Sequence, residues 1–163
     1  MKTIIILGSS RTPGNTSKIA AQLSQILDCE VLDLSNYSFS YYDYDAQNEA
    51  DDFTIIAEQI IRYERIIFAT PVYWYAMSGI MKVFLDRFTD LITINKHIGR
   101  SLAGKRMDLV ICSSDSTEYE WFDKPFRATA DYLDMTFVQS VHTWIEENEI
   151  SNEVLERLDQ MKN

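Results

Sequence analysis

Residues 3–16 read TIIILGSSRTPGNT, and the change of character at Gly8 decides how the rest of the chain is read. An apolar run that is almost wholly β-branched, with no alternation of polar residues, is the pattern of a strand buried on both faces. It passes at once into glycine, hydroxyls and an amide: Gly8, Ser9, Ser10, Arg11, Thr12, Pro13, Gly14, Asn15 and Thr16. Ile19, Leu23, Ile26 and Leu27 then recur at helical spacing, which predicts a helix capped by Asn15 or Thr16 and running to about residue 27. Strand, polar loop and helix in that order open a βαβ unit.

The alternation repeats to the C-terminus. Short apolar runs predict strands at residues 30–34, 65–69, 106–112 and 135–141. Phe53, Ile56, Ala57, Ile60 and Ile61 make one helical stripe, and Ile80, Met81, Phe84, Leu85, Phe88, Leu91 and Ile92 predict a single long third helix. Residues 126–133 suggest a short helix, and Val154, Leu155, Leu158 and Met161 a closing one. Parallel neighbours need crossovers, whose fixed hand sends helices to both faces. The expected fold is therefore α/β: a flavodoxin-like, three-layer, doubly wound sandwich with a five-stranded parallel sheet of order 2-1-3-4-5, in a single domain over residues 1–163. Residues 36–50, acidic and rich in tyrosine, and residues 93–105, polar with Gly99 and Gly104, are expected to be surface loops.

Composition narrows the function. A chain of 163 residues, 46% hydrophobic, can bury one good core. Its formal net charge of −10 argues against nucleic acid and against anionic membrane surfaces, which need clustered Lys and Arg. Cys29 and Cys112 sit far apart in apolar runs, so neither a metal pair nor a disulfide framework is expected, and a reducing, cytoplasmic setting fits. The apolar start ends at Gly8, too early for a signal peptide, and no stretch approaches a membrane span.

In the order 2-1-3-4-5 the connections leaving strands one and three diverge, opening a crevice at their carboxyl ends where ligands bind. The loop after strand one offers the hydroxyls of Ser9, Ser10, Thr16 and Ser17, the Asn15 amide, the Arg11 guanidinium and a helix N-terminus. That set is a cradle for an anion. Each charge-assisted hydrogen bond contributes about 1.5–3 kcal/mol, while distant acidic charge is screened beyond about 8 Å. The loop is neither a Walker A motif, since Asn15 and Thr16 follow Gly14, nor a G-x-G-x-x-G motif. Taken alone it reads equally well as a turn that merely caps a helix. The loop after strand three reads ATPVYWYAMS from Ala69 to Ser78. Tyr73, Trp74 and Tyr75 cannot all enter a core in register, so at least one lies over a flat partner or faces solvent, unless the three serve a subunit interface. Pro71 stiffens the turn, and Ser78 is placed to cap the next helix.

These two loops, with Gly79, Ile80, Met81 and Lys82 leading to Asp86 and Arg87, resemble the NAD(P)H-dependent FMN reductase and oxidoreductase family of flavodoxin-like flavoproteins, from residue 2 to about residue 141. The resemblance implies non-covalent FMN, its phosphate held by Ser9, Arg11, Asn15, Thr16 and Ser17, with Ser10 also among the cofactor-binding residues. It places the isoalloxazine edge along Pro71, Val72, Tyr73 and Trp74, with Ser113 and Ser114 closing the ribityl and ring side. It further implies NAD(P)H as co-substrate, a small-molecule quinone, flavin, azo or nitro acceptor, and a homodimer, for which apolar surface left on the third helix would serve. Residues 37–52 hold no cysteine, which sets the chain apart from relatives with an iron–sulfur cluster. The Ser-x-Arg loop differs from the Thr-x-Thr-Gly-x-Thr loop of electron-carrier flavodoxins. Asp134 stands where the family often has glycine, a position Asp is expected to tolerate poorly. Because the cofactor carries the chemistry, no catalytic side chain and no metal is assigned. His97 and His142 are expected to be structural or solvated. An FMN-binding electron-transfer module for a protein partner is the competing function, favoured by the acidic surface. A flavin-free receiver-like domain would need an acidic cluster after strand one, where Gly8, Ser9, Ser10 and Arg11 stand.

Overall fold

The structure is a computed structural model that describes residues 1–11, 13–48 and 50–162, so Thr12 of the first loop, Glu49 and Asn163 lie outside the described residues. β1 (Thr3–Leu7), β2 (Glu30–Asp33), β3 (Arg65–Pro71), β4 (Arg106–Ser113) and β5 (Thr136–Trp144) form one parallel sheet in the order β2-β1-β3-β4-β5. The flavodoxin-like arrangement expected from the alternating pattern is the one observed. Successive strand residues face opposite ways, and β1 shows the consequence. Ile4 and Ile6 join the cluster of α2 (Phe53–Ile60), α3 (Gly79–Asp86), α4 (Phe88–Thr93), α5 (Lys96–Arg100) and α6 (Lys124–Tyr132). Ile5 and Leu7 join that of α1 (Asn15–Leu27) and α7 (Asn152–Asp159).

Three elements and one backbone conformation differ from expectation. The long third helix is two, α3 and α4, divided at Arg87. There the chain tightens: the Asp90 N–H donates to the Arg87 carbonyl at 2.9 Å, while the Arg87 Nε donates to Asp90 Oδ2 at 2.7 Å. Residues 93–105 are not a plain surface loop, because α5 buries Ile98 fully and the turn after it buries Leu102, and two apolar residues four apart are too weak a signal in a polar context. β5 runs on to Trp144, pairing His142, Thr143 and Trp144 with Ile111, Cys112 and Ser113. Asp134 does take a left-handed conformation, φ 54°, and its carbonyl accepts from Gly104 N at 2.8 Å. A short polar side chain is among the few that visit this region routinely.

The tyrosine-rich segment is irregular, as expected, but its base is pinned. Arg87 is fully buried beneath it, lies 4.7 Å from the Phe53 ring centroid, donates to the Ser40 carbonyl at 3.1 Å and pairs with Asp51. Burial pushes the Asp51 carboxyl up, but the hydrogen bond from Arg87, the amides of Ser40 and Phe53 and the guanidinium charge outweigh it and hold the group below the usual carboxylate value. A second buried pair, Arg65 with Asp108, ties β3 to β4, and Arg65 Nη1 donates to the Met161 carbonyl at 2.7 Å, fixing the C-terminal turn. Among the described residues, no helix is long and apolar enough to cross a membrane, and no group of three or more His, Cys, Asp or Glu could hold a metal ion.

Asp51→Asn leaves the buried Arg87 with Asp90 as its remaining carboxylate and should cost about 2–4 kcal/mol of stability at pH 7. The folded pKa of Asp51 is lowered, so its contribution is present above the unfolded value and is lost as pH falls through the folded one. Urea unfolding at pH 7 and pH 3.5 should therefore show a smaller acid loss in the variant than in the wild type.

Candidate functional site

The carboxyl ends of β1 and β3 lie side by side, with Leu7 in register with Ala69 and the Gly8 N–H donating to the Ala69 carbonyl at 2.9 Å. Ser78 binds the two loops that leave them. Its hydroxyl donates to the Gly8 carbonyl at 2.6 Å and accepts from Met81 N at 3.2 Å, capping α3 as its position in the sequence suggested. Its own N–H donates to Thr70 Oγ1 at 3.0 Å. A side chain at Gly8 would meet Met81 at 2.7 Å, so glycine here is what lets α3 approach the end of β1.

In the first loop, the Ser9 hydroxyl donates to the Arg11 carbonyl at 3.2 Å and accepts the Arg11 N–H, folding the segment back on itself. The helix cap is Gly14, not Asn15 or Thr16. Gly14 N donates to Ser17 Oγ at 2.8 Å and leaves the first turn of α1 with no side-chain cap. Serine or aspartate at that position would accept from the first-turn amides; glycine leaves them for an incoming anion. Among the described residues the Arg11 guanidinium makes no ion pair.

The second loop is a closed hairpin. Tyr73 N–H donates to the Ala76 carbonyl at 2.9 Å and Ala76 N–H returns to Tyr73 at 3.1 Å, with Trp74 at φ 49° and Tyr75 at φ 65° between them. This is the two-residue turn that glycine, asparagine and aspartate favour. Two aromatic residues in it cost on the order of 1–2 kcal/mol each. Val72 N–H donates to the Cys112 carbonyl at 2.9 Å, which fixes the hairpin against the end of β4.

The three strand ends enclose a cavity of about 250 Å³. Of the expected site residues, Ser9, Arg11, Asn15, Thr16, Pro71, Val72, Tyr73, Ser113 and Ser114 line it. Ser10 lies outside the lining but touches it, its hydroxyl 3.4 Å from that of Tyr73. Ser17 closes the loop on Gly14, and Trp74 points outward at 93% exposure. The sequence reading missed Gly14 and Cys112, which also line the cavity, and gave His142 no part in it. His142 Nε2 lies 2.6 Å from Ser113 Oγ, whose proton is directed to the Asp115 carbonyl at 2.5 Å. Nε2 then carries the imidazole proton and donates it to Ser113, while the buried Nδ1 has no hydrogen-bond partner among the described residues. Burial lowers the His142 pKa, Glu118 pulls it up, Arg157 lowers it and Asp115 pulls it up; the net direction is down, so the ring is neutral at pH 7. The parallel register of β4 and β5, which sets His142 opposite Ile111 and near Ser113, is the signal that could have found it. A larger hollow of about 450 Å³ runs along the outer edge of β5, lined by Glu118, Glu120 and Asp123 and by Arg157, a cation already paired with Glu118 and Glu153.

The family model described as NADPH-dependent FMN reductase matches residues 1–149. The Bacillus subtilis protein YwqN, named as an NAD(P)H-dependent FMN-containing oxidoreductase, is 34% identical over 98 residues, covering 56% of this chain and 54% of its own. The match thus spans about half the length of that curated relative. The solved structure of Trp repressor binding protein from Bacillus subtilis superposes with a TM-score of 0.80 at 23% identity, covering 99% of this chain and 98% of that one. An FMN-dependent NADH-azoreductase from Bacillus anthracis, in complex with FMN, gives a TM-score of 0.66 at 14% identity over 100% of both chains. At such identities these superpositions speak for the fold alone.

Ser78→Ala should lower stability by about 1–3 kcal/mol in urea unfolding, since it removes a helix cap and leaves the buried Gly8 carbonyl unpaired. His142→Gln should flatten the pH dependence of stability. A base whose folded pKa is lowered costs stability as pH falls below its unfolded value near 6.5. Unfolding midpoints at pH 7.5 and 5.5 should therefore differ more in the wild type than in the variant.

Proposed function

The chain belongs to the NADPH-dependent FMN reductase family, and from that membership we propose that it is an FMN-dependent oxidoreductase passing two electrons from NAD(P)H to a small quinone, flavin, azo or nitro acceptor. One observation carries the reading: the uncapped start of α1 and Arg11 line the same crevice as Pro71, Val72 and Tyr73. A dianionic phosphate and a flat heterocycle need those two environments a short distance apart. The residues present therefore suit FMN, although the net charge of −10 by itself would repel it.

The roles divide along the crevice. The first-turn amides of α1, with Asn15, Thr16 and Arg11, hold the phosphate, and Ser9 and Ser17 shape the loop through their bonds to Arg11 and Gly14. Pro71, Val72 and Tyr73 present a fixed backbone to the ring edge, because Val72 is tied to Cys112 and Tyr73 to Ala76. Ser113 closes the other side, its hydroxyl oriented by the neutral His142 and the Asp115 carbonyl. When bound, the flavin supplies hydride acceptance and donation, so the protein contributes binding and orientation rather than an acid–base pair. The FMN held by the azoreductase of the same fold and the name of YwqN are in keeping with this assignment. A cytoplasmic location and a homodimer belong to the same proposal. An electron-transfer module serving a protein partner is the second reading, and the acidic surface is what favours it.

Purified protein mixed with FMN should keep its yellow colour through desalting, and should oxidise NADH or NADPH when menadione is added. Colour retained without turnover would favour the electron-transfer module. Arg11→Ala should weaken FMN by roughly ten- to a hundredfold in a fluorescence titration, the loss expected when one guanidinium–phosphate contact is removed. Unchanged affinity would show that the phosphate lies elsewhere.

A further inference from the structure

His142 stands behind the crevice and not in it. It is buried, it lines the hollow along the outer edge of β5, and it is absent from the residues that line the crevice. Its ring makes a single hydrogen bond among the described residues: Nε2 meets Ser113 Oγ at 2.6 Å, while Nδ1, cut off from solvent, has no partner. An unpaired buried nitrogen costs stability, and phenylalanine at this position would bury a ring without one. What the imidazole adds over an apolar ring is therefore one hydrogen bond, given to a residue that does line the crevice. The ring is held in place from two sides. Trp144 lies 5.6 Å away at 31°, and Arg157 Nη1 donates to the His142 carbonyl at 3.3 Å.

That bond decides what Ser113 can offer. A serine hydroxyl has one proton and two acceptor lone pairs. The proton goes to the Asp115 carbonyl at 2.5 Å, a partner kept in place because the Asp115 carboxylate accepts from Thr117 N at 2.8 Å and folds the loop back. One lone pair takes the imidazole N–H, so towards the crevice only an acceptor is left. Oxidised FMN is mostly an acceptor itself, through its phosphate, its ring carbonyls and its bare ring nitrogens. Its donors are the ring N3–H and the hydroxyls of the ribityl chain. We propose that His142 is a positioning residue that holds Ser113 as an acceptor, and that Ser113 thereby selects the cofactor through one of those donors. The proposal rests on the reading that FMN occupies the crevice.

The chain has two histidines, and His97 is exposed on α5, so His97→Gln leaves His142 as the one imidazole to observe. In that variant, loaded with FMN at pH 7.5, the nitrogen NMR spectrum of the labelled ring should show Nε2 protonated and Nδ1 bare; a proton on Nδ1 would overturn the assignment. FMN titrations followed by flavin fluorescence read the consequence. His142→Phe should weaken FMN about three- to tenfold, the net worth of one neutral hydrogen bond, without lowering the urea midpoint. His142→Gln, whose side-chain amide restores an N–H donor, should stay within about twofold of wild type. Ser113→Ala should lose as much as His142→Phe, and the double variant no more than either, because the two residues act as one unit. Two analogues distinguish the donors: FMN methylated at N3, and FMN with a plain alkyl chain in place of the ribityl chain. The wild type's preference for FMN over one of them should shrink by the same factor in Ser113→Ala and His142→Phe. Unchanged FMN affinity in His142→Phe, additive losses in the double variant, His142→Gln as weak as His142→Phe, or analogue preferences equal in all three proteins would overturn the proposal. Should His142→Phe not fold, the spectrum and the analogue preference of Ser113→Ala decide it. Any of these failures leaves the proposed function standing where the wild type keeps FMN through desalting and oxidises NAD(P)H; a wild type that binds no FMN removes both.

Discussion

The hydroxyl of Ser78 is the point on which the crevice depends. One buried oxygen donates to the carbonyl at the end of β1 and caps the helix that follows β3, so the two loops cannot move apart without stripping a helix terminus and a strand end of their partners. The cost of leaving such groups unpaired away from water is larger than the gain from making the bonds, which makes the junction stiff. Gly8 completes it by letting Met81 within a distance no side chain would allow. The spacing of the two loops at the crevice is set here, by a buried junction beneath them.

The sheet and its order were legible because they rest on a repeated signal. Each strand is a short apolar run, and the helices between them carry clean stripes, so the topology follows from the rules for crossovers. What escaped notice depends on single partners remote in sequence. The division between α3 and α4 follows from the guanidinium of Arg87 meeting Asp51 and Asp90, and an apolar stripe that continues across position 87 hides it. α5 and the turn after it hang on Ile98 and Leu102 within a polar stretch. At the site, the loops and most lining residues were visible, since glycine, hydroxyls and aromatics beside strand ends have few other uses. The cap at Gly14 was not, because a cap that works by offering nothing leaves no positive mark. His142 was not, because its contact with Ser113 exists only once the register of β4 and β5 is known.

Charge acts at two scales. The net charge of −10 governs which large partners approach, but it does not govern the crevice, where helix amides and Arg11 act within a few ångströms and the rest is screened. The buried cations do neither job. Arg65 and Arg87 are committed to carboxylates and carbonyls inside the fold, joining β3 to β4 and the tyrosine-rich segment to α3 and α4. Such pairs add little net stability over apolar packing, yet removing one partner is costly. Here they hold long connections in one arrangement, which apolar contacts at those positions would specify less tightly.

The Trp74–Tyr75 turn is a place where local preference and observed structure conflict. Glycine in either position would relax the backbone, and the side chains that stand there instead face outward. A fold accepts such a cost where a group must be presented rather than buried. The neighbouring hairpin positions behave in the opposite way: Val72 and Tyr73 are fixed by backbone bonds and turned toward the crevice. Within five residues the chain therefore changes from backbone held against the crevice to side chains that project into solvent.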